Sequence, residues 1–338
     1  MQGNYCVWDI DIEEFYRQKT DRERAAFLVR FAVLAPSSHN AQPWKFLVLG
    51  NAILVMLEKN RALPVSDANE RHAHIALGCA IENICIAADY YGYRAHVTYF
   101  PADTQEAVAK ITFEEMRERS PNASHLIFAI PKRRSNRNPF TNQLPPEKLL
   151  ERWRRYASES LHVDIITDRA QRAALAGILV GFREKIFDNV AFRRELATYK
   201  RTNLTHDYVG MPGFTMGFST PFSLIAPFLI RHFNVVKLTR GKDLNVLTGH
   251  TPVFIFLSTK EDTKIAWLDT GRVFQRMLLQ AEHEGLQTSI SAIPHPSREL
   301  QTVLGTLFYP QIFFRAGYTE RVSEHSPRLL ATSCIEVA

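Results

Sequence analysis

The feature of this sequence that most constrains its fold is an internal repeat built around two long, largely apolar segments, 71–91 and 265–284. Both segments carry apolar residues at helical spacing, and each precedes a predicted strand. When Gly78 is set beside Gly271, the segments match without a gap, and their apolar positions coincide: Ala80 with Val273, Ile81 with Phe274, Ile84 with Met277, and Ala88 with Ala281. Such a repeat predicts two similar αβ units that share one core.

The rest of the pattern predicts an α+β fold with two tandem αβ units arranged as a pseudo-dimer in one chain. A helical stretch at 11–35, with Asp21 as its expected N-cap, precedes strands at 44–49 and 53–57. The expected halves are residues 1–125 and 126–338. The remaining predicted elements are strands at 95–99, 109–113, 252–258, 287–292 and 311–316, and helices near 146–157, 168–186 and 189–198.

Composition excludes several functional classes. The net charge of +6 is too weak a bias for a dedicated nucleic-acid-binding domain. The four cysteines form no C-x-x-C pair, and no histidine cluster completes a zinc site, so no metal is expected. The chain has no dinucleotide-binding G-x-G-x-x-G, Walker A or G-x-S-x-G motif. The first residues lack a signal-peptide pattern, so we expect a cytoplasmic protein.

One apolar segment, 209–236, raises the question of a membrane span. It is rich in phenylalanine, but Pro212, Pro221 and Pro227 interrupt it. Proline in a helix interior costs about 3 kcal/mol, and a spanning helix needs about 20 uninterrupted apolar residues. We therefore predict no membrane span and an apolar lid, inserted near 205–240, that covers an apolar site.

The most specific polar stretch is the loop Ala35-Pro36-Ser37-Ser38-His39-Asn40-Ala41-Gln42-Pro43-Trp44, which joins a helix to a strand. Two prolines fix its ends, and short hydroxyl and amide side chains lie between them. A rigid loop of this kind can offer backbone N–H groups, hydroxyls and amides to a polar planar ring. An ordinary connecting loop rich in turn-forming residues is the alternative.

A second polar stretch is the basic segment 133–137, Arg-Arg-Ser-Asn-Arg. Guanidinium groups bind phosphate with two hydrogen bonds, and a hydroxyl between them adds a donor. A basic linker and a nucleic-acid patch are the alternatives. No aromatic residues alternate with these arginines, as binding of a single strand would favour, so we expect no nucleic-acid partner.

Together these stretches resemble the nitroreductase family and its fused, two-repeat Acg-like branch, over residues 21–320. The loop resembles the family's A-P-S and Q-P-W flavin loop, and the basic segment resembles its R-R-S-x-R phosphate motif. The residues from Gly285 to Pro294 look like the helix-to-strand region near flavin N5, and Phe314 to Tyr318 resemble the last core strand. One departure is His295-Pro296, where many members have an acidic residue and glycine.

The resemblance implies one FMN per chain, because each motif occurs once. Gln42, Pro43 and Trp44 are expected to support the loop. No catalytic side chain is assigned, since the flavin would carry the chemistry. The implied cofactor-binding residues are Pro36, Ser37, Ser38 and Asn40 at the ring or ribityl chain, Arg133, Arg134, Ser135 and Arg137 at the phosphate, Ile293 and Pro294 near N5, and Arg315 as a second phosphate contact.

The function that the resemblance implies is an NAD(P)H-dependent flavin oxidoreductase. NADH or NADPH would reduce the flavin, and a small nitroaromatic, quinone or enone acceptor would then take the same place, in a ping-pong sequence. A closed lid over 205–240 supports one rival, an FMN storage protein without turnover. The basic balance supports another, a protein that binds nucleic acid or an anionic membrane. The sequence leaves open whether two pseudo-dimeric chains associate further.

Overall fold

The structure, a computed structural model, describes residues 3–116 and 125–336, which form two main sheets, a short two-stranded ladder and ten α-helices. The strands are β1 (Trp44–Leu49), β2 (Ala52–Leu57), β3 (Tyr93–Tyr99), β4 (Ala107–Glu115), β5 (Leu161–Ile166), β6 (Lys200–Arg201), β7 (Met211–Pro212), β8 (Val253–Thr259), β9 (Gln287–Ser291), β10 (Tyr309–Gly317) and β11 (Ile335–Glu336). The helices are α1 (Asp21–Ala32), α2 (Arg71–Tyr90), α3 (Glu147–Arg154), α4 (Arg169–Asp188), α5 (Val190–Thr198), α6 (Thr220–His232), α7 (Val236–Gly249), α8 (Lys264–His283), α9 (Arg298–Leu304) and α10 (Ala331–Cys334).

The N-terminal part of the chain supplies four strands of one main sheet, which β11 completes, and the C-terminal part supplies the other sheet. The first has the order β11-β1-β2-β4-β3, and the second has the order β5-β8-β10-β9. Apart from β11, which runs parallel to β1 with Ile335 opposite Phe46, neighbouring strands are antiparallel. The α+β class predicted from the sequence is confirmed.

Helices α2 and α8 form the centre of the molecule, and they cross at two glycines. A Cβ atom on Gly78 would lie 2.2 Å from the Leu268 carbonyl oxygen, and one on Gly271 would lie 2.1 Å from the Ile75 carbonyl oxygen. Under the repeat alignment, Ile75 corresponds to Leu268 and Gly78 to Gly271, so these two contacts are equivalent. Reciprocal contacts of this kind characterise an interface around a two-fold axis.

A second pair of contacts across α2 and α8 obeys the same relation. Asn83 Oδ1 accepts a hydrogen bond of 2.7 Å from Gln275 Nε2, and Glu82 forms an ion pair with Arg276. Glu82 corresponds to Gln275 and Asn83 to Arg276 under the alignment. Equivalent positions of α2 and α8 therefore contact each other in both pairs, although the residue types at those positions differ between the two helices.

The predicted helix at 11–35 is divided in the structure. Residues Ile12–Arg17 form a short 3-10 helix, and α1 begins only at Asp21. Its N-cap is Thr20 rather than Asp21, because the Thr20 hydroxyl accepts from Glu23 N while the Glu23 carboxylate accepts from Thr20 N. This capping box satisfies two backbone N–H groups that the first helical turn leaves free.

The segment predicted as a lid is folded rather than irregular. Helices α6 and α7 pack on α4 and α5 through a small apolar cluster of their own. Pro221 lies in the first turn of α6, where its missing N–H costs nothing, and Pro227 is tolerated inside the helix. None of the helices in the described part of the chain is long and apolar enough to cross a membrane.

The division of the chain at residues 125 and 126 stays a prediction. Residues 117–124, next to the expected boundary, lie outside the described residues, as do residues 1, 2, 337 and 338. After β10 in the second sheet, the chain returns to the first one, where β11 pairs with β1. The sequence pattern predicted strands at the positions of β3, β4, β9 and β10. It did not predict β5, α7, α9 and β11.

Candidate cofactor site

A cavity of about 920 Å³ lies where the two halves meet, and helices of the lid segment close one side of it. Its volume is at the upper end of the range for pockets that hold a small molecule or cofactor. The loop at 36–40, the basic segment 133–137 and strand β9 with the residues after it all contribute to the wall. The cavity therefore joins the three stretches that the sequence singled out.

The loop at 36–42 has an unusual backbone. His39, Asn40 and Gln42 all have φ of 55°, in the left-handed region that residues other than glycine rarely adopt. Such a conformation costs of order 1–3 kcal/mol at each residue and persists only where surrounding contacts fix it. The loop must therefore be held by bonds from outside itself.

The Asn40 side chain supplies much of that restraint. Its amide donates to the carbonyl oxygens of Gly210 at 2.8 Å and Pro327 at 2.9 Å, and its oxygen accepts from the Arg328 guanidinium. Asn40 is buried, with all of these polar atoms used within the protein. Its position at the cavity is as expected, but these bonds favour a role in fixing the loop over direct contact with a ligand.

Gln42 fixes the other end of the loop. Its side chain donates to the Tyr208 carbonyl oxygen at 2.7 Å and accepts from Leu329 N at 2.9 Å, while its own N–H donates to Ser37 Oγ at 2.9 Å. Segments from two distant parts of the chain, 208–210 and 327–329, thus meet at the loop. The Ser38 hydroxyl forms no hydrogen bond among the described residues, and this side chain lines the cavity, where its hydroxyl can meet a ligand.

The basic segment lies along strand β9. Asn136 N donates to the Thr288 carbonyl oxygen at 2.7 Å, and Ser135 forms a parallel bridge with Thr288. Arg133 reaches the other half of the molecule, where its Nη2 donates to the Leu34 carbonyl oxygen at 3.1 Å. One guanidinium therefore connects the basic segment to the residue that precedes Ala35-Pro36.

Five cations around the cavity have no acidic partner. Among the described residues, no carboxylate lies within 4 Å of Arg133, Arg137, Lys200, Arg315 or Arg328, and all five line the cavity. Uncompensated charges in a protein interior are costly, and in natural proteins a bound ligand commonly compensates them. The arrangement thus predicts an anionic ligand.

Two of these arginines also carry an unpaired buried N–H. Arg133 Nε and Arg328 Nε have no hydrogen-bond partner among the described residues. Burial, together with neighbouring arginines, lowers the pKa of Arg133 to about 10 and lowers that of Arg328 well below its usual value. Both shifts reflect the free energy that an anion beside these groups would recover.

Arg315, predicted as a second phosphate contact, lines the cavity and also contacts the backbone of the basic segment. Its Nη2 donates to the carbonyl oxygens of Arg137 at 3.0 Å and Asn138 at 2.9 Å, and the guanidinium lies over the Phe140 ring at 4.1 Å. Burial and the charge of Arg137 lower its pKa to about 10. Its contacts fix the backbone of the basic segment, while its charge adds to the positive potential of the cavity.

The lining is strongly basic as a whole. Nine lysine or arginine residues contribute to it, against three aspartate or glutamate residues. This excess matters because a wall with low polarizability focuses the field of the charges into the cavity. The field favours ligands that carry one or more negative groups.

Two histidines beside the cavity are held neutral. Burial and the charges of Lys200 and Arg137 lower the pKa of His39 to about 3, and its Nε2 lies 3.1 Å from Ser66 Oγ. Burial and the nearby arginines likewise lower the pKa of His325 to about 3, and its ring stacks on Trp8 at 4.1 Å.

The far end of the cavity is polar. Asp67 begins α2 by accepting from His72 N at 2.9 Å and Ala73 N at 2.8 Å, and burial raises the pKa of this carboxyl. Arg71 donates to the Gln311 carbonyl oxygen. His295 lies between Pro310 O and Asp262 Oδ2, each at 3.0 Å from a ring nitrogen.

The structure brings almost all of the predicted residues to one cavity. Ile293 is buried in its wall and His295 also lines it, but Pro294 between them does not. The predicted residues that line the cavity are Pro36, Ser37, Ser38, Asn40, Arg133, Arg134, Ser135, Arg137, Ile293 and Arg315.

Three cations of the wall were not found by sequence reasoning: Arg71 and Arg328, which are buried, and Lys200, which is partly buried. Arg328 follows a proline in an irregular C-terminal segment, and Lys200 begins a two-residue strand, so neither lies in a pattern that marks a site. The four cysteines are free thiols, and no cluster of metal-ligating side chains occurs within the described ranges.

Comparisons with known proteins add independent information. No family model matches the chain. A curated protein of Mycobacterium tuberculosis, provisionally named NAD(P)H nitroreductase Acg, is 26% identical over 318 residues, which cover 88% of this chain and 90% of that protein. A solved structure from Anabaena variabilis, provisionally described as a nitroreductase, covers 92% of both chains with a TM-score of 0.50 and 11% identity.

A shorter solved structure matches part of the chain. The FMN-dependent nitroreductase NfnB of Mycobacterium smegmatis, in complex with NADPH, is 18% identical and covers 57% of this chain and 86% of its own, with a TM-score of 0.37. The similarity to Acg in sequence and to the Anabaena protein in fold confirms the resemblance inferred from the motifs: the chain is related to the Acg-like nitroreductases and has the nitroreductase-like fold.

Proposed function

We propose that this protein binds one FMN in the cavity between its halves and acts as an NAD(P)H-dependent oxidoreductase. The observation that carries the proposal is the set of five cations without acidic partners at the cavity wall, three of which, Arg133, Arg315 and Arg328, are buried. The names of Acg and NfnB, an NAD(P)H nitroreductase and an FMN-dependent nitroreductase, agree with this proposal. One FMN per chain is proposed because each of the two motifs occurs once.

The residues present fit the phosphate of FMN. Arg133 and Arg328 line the cavity and each has a buried Nε–H without a partner among the described residues, and the pKa of each is lowered partly by the charge of another arginine. A phosphate dianion would accept from both groups and from the Ser135 hydroxyl beside them. Arg134 and Arg137 would add to the attraction.

The residues present also fit a polar planar ring. The backbone of the loop at 36–40 is fixed by Asn40 and Gln42, so the loop meets a ring without first becoming ordered. The Ser38 hydroxyl is available there. On the opposite wall, Ser291 and Ile293 present the end of β9 to the same cavity.

Bound FMN would supply hydride transfer between a reduced nicotinamide and an oxidised acceptor, and the protein would control position, charge and access. His39 is neutral at physiological pH, so it can accept or donate a hydrogen bond without adding charge. Arg137 would stabilise negative charge on a bound ligand. We propose that the acceptor is a nitroaromatic, quinone or enone compound and that turnover follows a ping-pong sequence.

The second candidate is an FMN storage protein, which the position of α6 and α7 over the cavity favours. We favour turnover because a cavity of about 920 Å³ is at the upper end for one cofactor and leaves room for a second ligand. Anaerobic titration of the FMN-loaded protein with NADH and NADPH distinguishes these candidates.

We expect rapid bleaching of the flavin absorbance by at least one of the two nicotinamides. Bleaching by dithionite alone would support storage and contradict the oxidoreductase. A purified protein that neither contains FMN nor takes it up would overturn the whole proposal. The stoichiometry of bound FMN, measured after acid release, tests the expectation of one per chain.

A further inference from the structure

The outer face of helix α6 is apolar in a way that its packing on the protein does not explain. The residues that α6 buries are Ser223, Ala226 and Ile230, which are mostly small. Its large apolar residues point to solvent instead, including Leu224 at 57% and Phe228 at 61% exposure. A surface helix normally buries its large apolar face and exposes polar side chains. Helix α6 shows the reverse polarity.

The apolar surface continues beyond α6. We define the lid face as the exposed large apolar side chains between 222 and 238; six of the eighteen exposed large apolar side chains of the described chain lie there. A concentration of large exposed apolar side chains in one segment is typical of a site of interaction with another protein or a membrane. The lid face consists of Phe222, Leu224, Ile225, Phe228, Phe233 and Leu238.

The charged residues within the lid segment itself have one sign. From Tyr208 to Lys242 the sequence contains no aspartate or glutamate, but it contains Arg231, Lys237, Arg240 and Lys242. All four are exposed. Lys237 and Arg240 form ion pairs with side chains of α4, and exposed pairs of this kind contribute at most about 1 kcal/mol.

Arg231 and Lys242 have no carboxylate partner among the described residues. Arg231 lies in the last turn of α6, next to the exposed apolar side chains. Apolar side chains beside basic ones on a helical surface match the interface of an anionic bilayer, where the apolar groups enter the acyl boundary and the cations meet lipid headgroups. A protein partner would also need acidic groups around an apolar groove of the same shape.

We propose that the lid face binds reversibly to the surface of a membrane that contains anionic lipid. The helix lies in the interface and does not span it, because it has only 13 residues. This inference rests on the lid face alone and does not depend on flavin binding.

The same helices that carry the lid face also line the cavity on their inner side. Ile230, Val236 and Thr239 line the cavity, while the opposite side of these helices carries the lid face. Membrane binding would therefore place the cavity next to the bilayer. Under the proposed function, the acceptor would then be a lipid-soluble one, such as a quinone with an apolar tail.

The experiment is co-sedimentation of the full chain with sonicated vesicles. Vesicles of phosphatidylcholine alone are compared with vesicles of phosphatidylcholine and phosphatidylglycerol in a roughly two-to-one ratio. We expect sedimentation with the anionic vesicles only, and a marked loss at about 1 M salt, where the Debye length is about 3 Å. FMN-loaded and FMN-free protein are both measured, so that failure of flavin binding leaves this result interpretable.

Two variants of the lid face and two matched controls test its role. Leu224→Ser combined with Phe228→Ser should lower the vesicle partition coefficient at least tenfold, because two large apolar groups no longer enter the interface. Arg231→Gln should lower it about fivefold. Leu307→Ser and Arg155→Gln, at an exposed apolar residue and an exposed arginine outside the lid face, should leave it unchanged.

Several outcomes would overturn the proposal. Absence of binding to anionic vesicles does so, and so does equal binding by the wild type and both lid-face variants. Self-association through the lid face without vesicle binding, detected by sedimentation velocity, would show that a second copy of the chain covers it instead. Circular dichroism verifies folding of the double variant. If that variant is unfolded, the comparison of neutral with anionic vesicles and the binding of Arg231→Gln still test the proposal.

Discussion

Gly78 and Gly271 lie against each other where α2 crosses α8, and each one faces the backbone of the other helix. A Cβ atom on Gly78 would lie 3.0 Å from Gly271 Cα and 2.2 Å from the Leu268 carbonyl oxygen. A backbone carbonyl in a buried helix cannot move aside as the end of a flexible side chain can. The two halves can therefore pack at this separation only with glycine at both positions.

Gly78→Ala should lower the free energy of unfolding by about 3 kcal/mol, because the new methyl group forces the central helices apart. In an ordinary helix interior the same change raises stability by about 1 kcal/mol. Gly177→Ala is the matched control, since Gly177 is exposed in α4 and a Cβ there meets nothing within 4 Å. Urea denaturation of the two variants should give opposite signs; equal effects would contradict the close crossing.

Arg133→Gln should weaken FMN binding by roughly tenfold to a hundredfold, because a charge-assisted hydrogen bond contributes about 1.5–3 kcal/mol. Its guanidinium is buried at the cavity with an unpaired Nε. Arg155→Gln is the control, because Arg155 is exposed on the protein surface. Fluorescence titration of FMN-free protein measures both dissociation constants. If Arg133→Gln binds FMN as tightly as the wild type, the phosphate does not lie beside Arg133.

Asn40→Ala should lower the free energy of unfolding of the FMN-free protein by about 2–3 kcal/mol, since Gly210 and Pro327 lose their donor and Arg328 loses its acceptor. Ser38→Ala should change it by less than about 0.5 kcal/mol while weakening FMN binding. Chemical denaturation and FMN titration of the same two variants separate these roles. Unchanged stability of Asn40→Ala would return Asn40 to the role of a direct ligand.

The amino-acid sequence predicts the central helices well because their signal is local. Helix α2 carries apolar residues on nearly all sides between polar ends, and its predicted bounds agree with the structure within one residue. The match of Gly78 with Gly271 is visible in the sequence, but their contact is not. Contact between equivalent positions follows from the two-fold arrangement, which only the packed structure reveals.

The candidate site is less predictable, because much of it depends on distant contacts. The loop at 35–44 was recognised from its order of residues, whereas the left-handed backbone at His39 and Asn40 is imposed by Gly210, Pro327 and Arg328. Arg328 reaches the cavity because the chain returns to the first sheet as β11. Neither the contacts that hold the loop nor the return of the chain to the first sheet produces a periodic pattern in the sequence.

The orientation of α6 illustrates the same limit. The apolar composition and the prolines predict a segment that covers an apolar site, but composition does not say which side of a helix faces the protein. In the structure, Ser223, Ala226 and Ile230 are buried where α6 packs against α5. Leu224 and Phe228 consequently face outward.

Stability should fall at acidic pH through the histidines that the fold keeps neutral. The unfolded chain binds a proton on His39 as the pH falls through 6.5, but the folded chain does not until the pH approaches the folded-state pKa of about 3. Acid therefore favours the unfolded state throughout this window, and the contribution of His39 is fully present above pH 6.5. At pH 5 the loss relative to neutral pH should be about 2 kcal/mol for this one group.

His39→Gln removes the titrating group and keeps a side chain that can reach Ser66. Urea denaturation of the FMN-free wild type and variant at pH 7.5 and 5.0 should therefore show a smaller acid loss in the variant, by about 2 kcal/mol. His325→Gln should do the same, because burial and the neighbouring arginines also lower the pKa of His325 to about 3. If each variant loses as much stability between the two pH values as the wild type, these imidazoles are not held neutral by burial, and the positive field assigned to the cavity would be too strong.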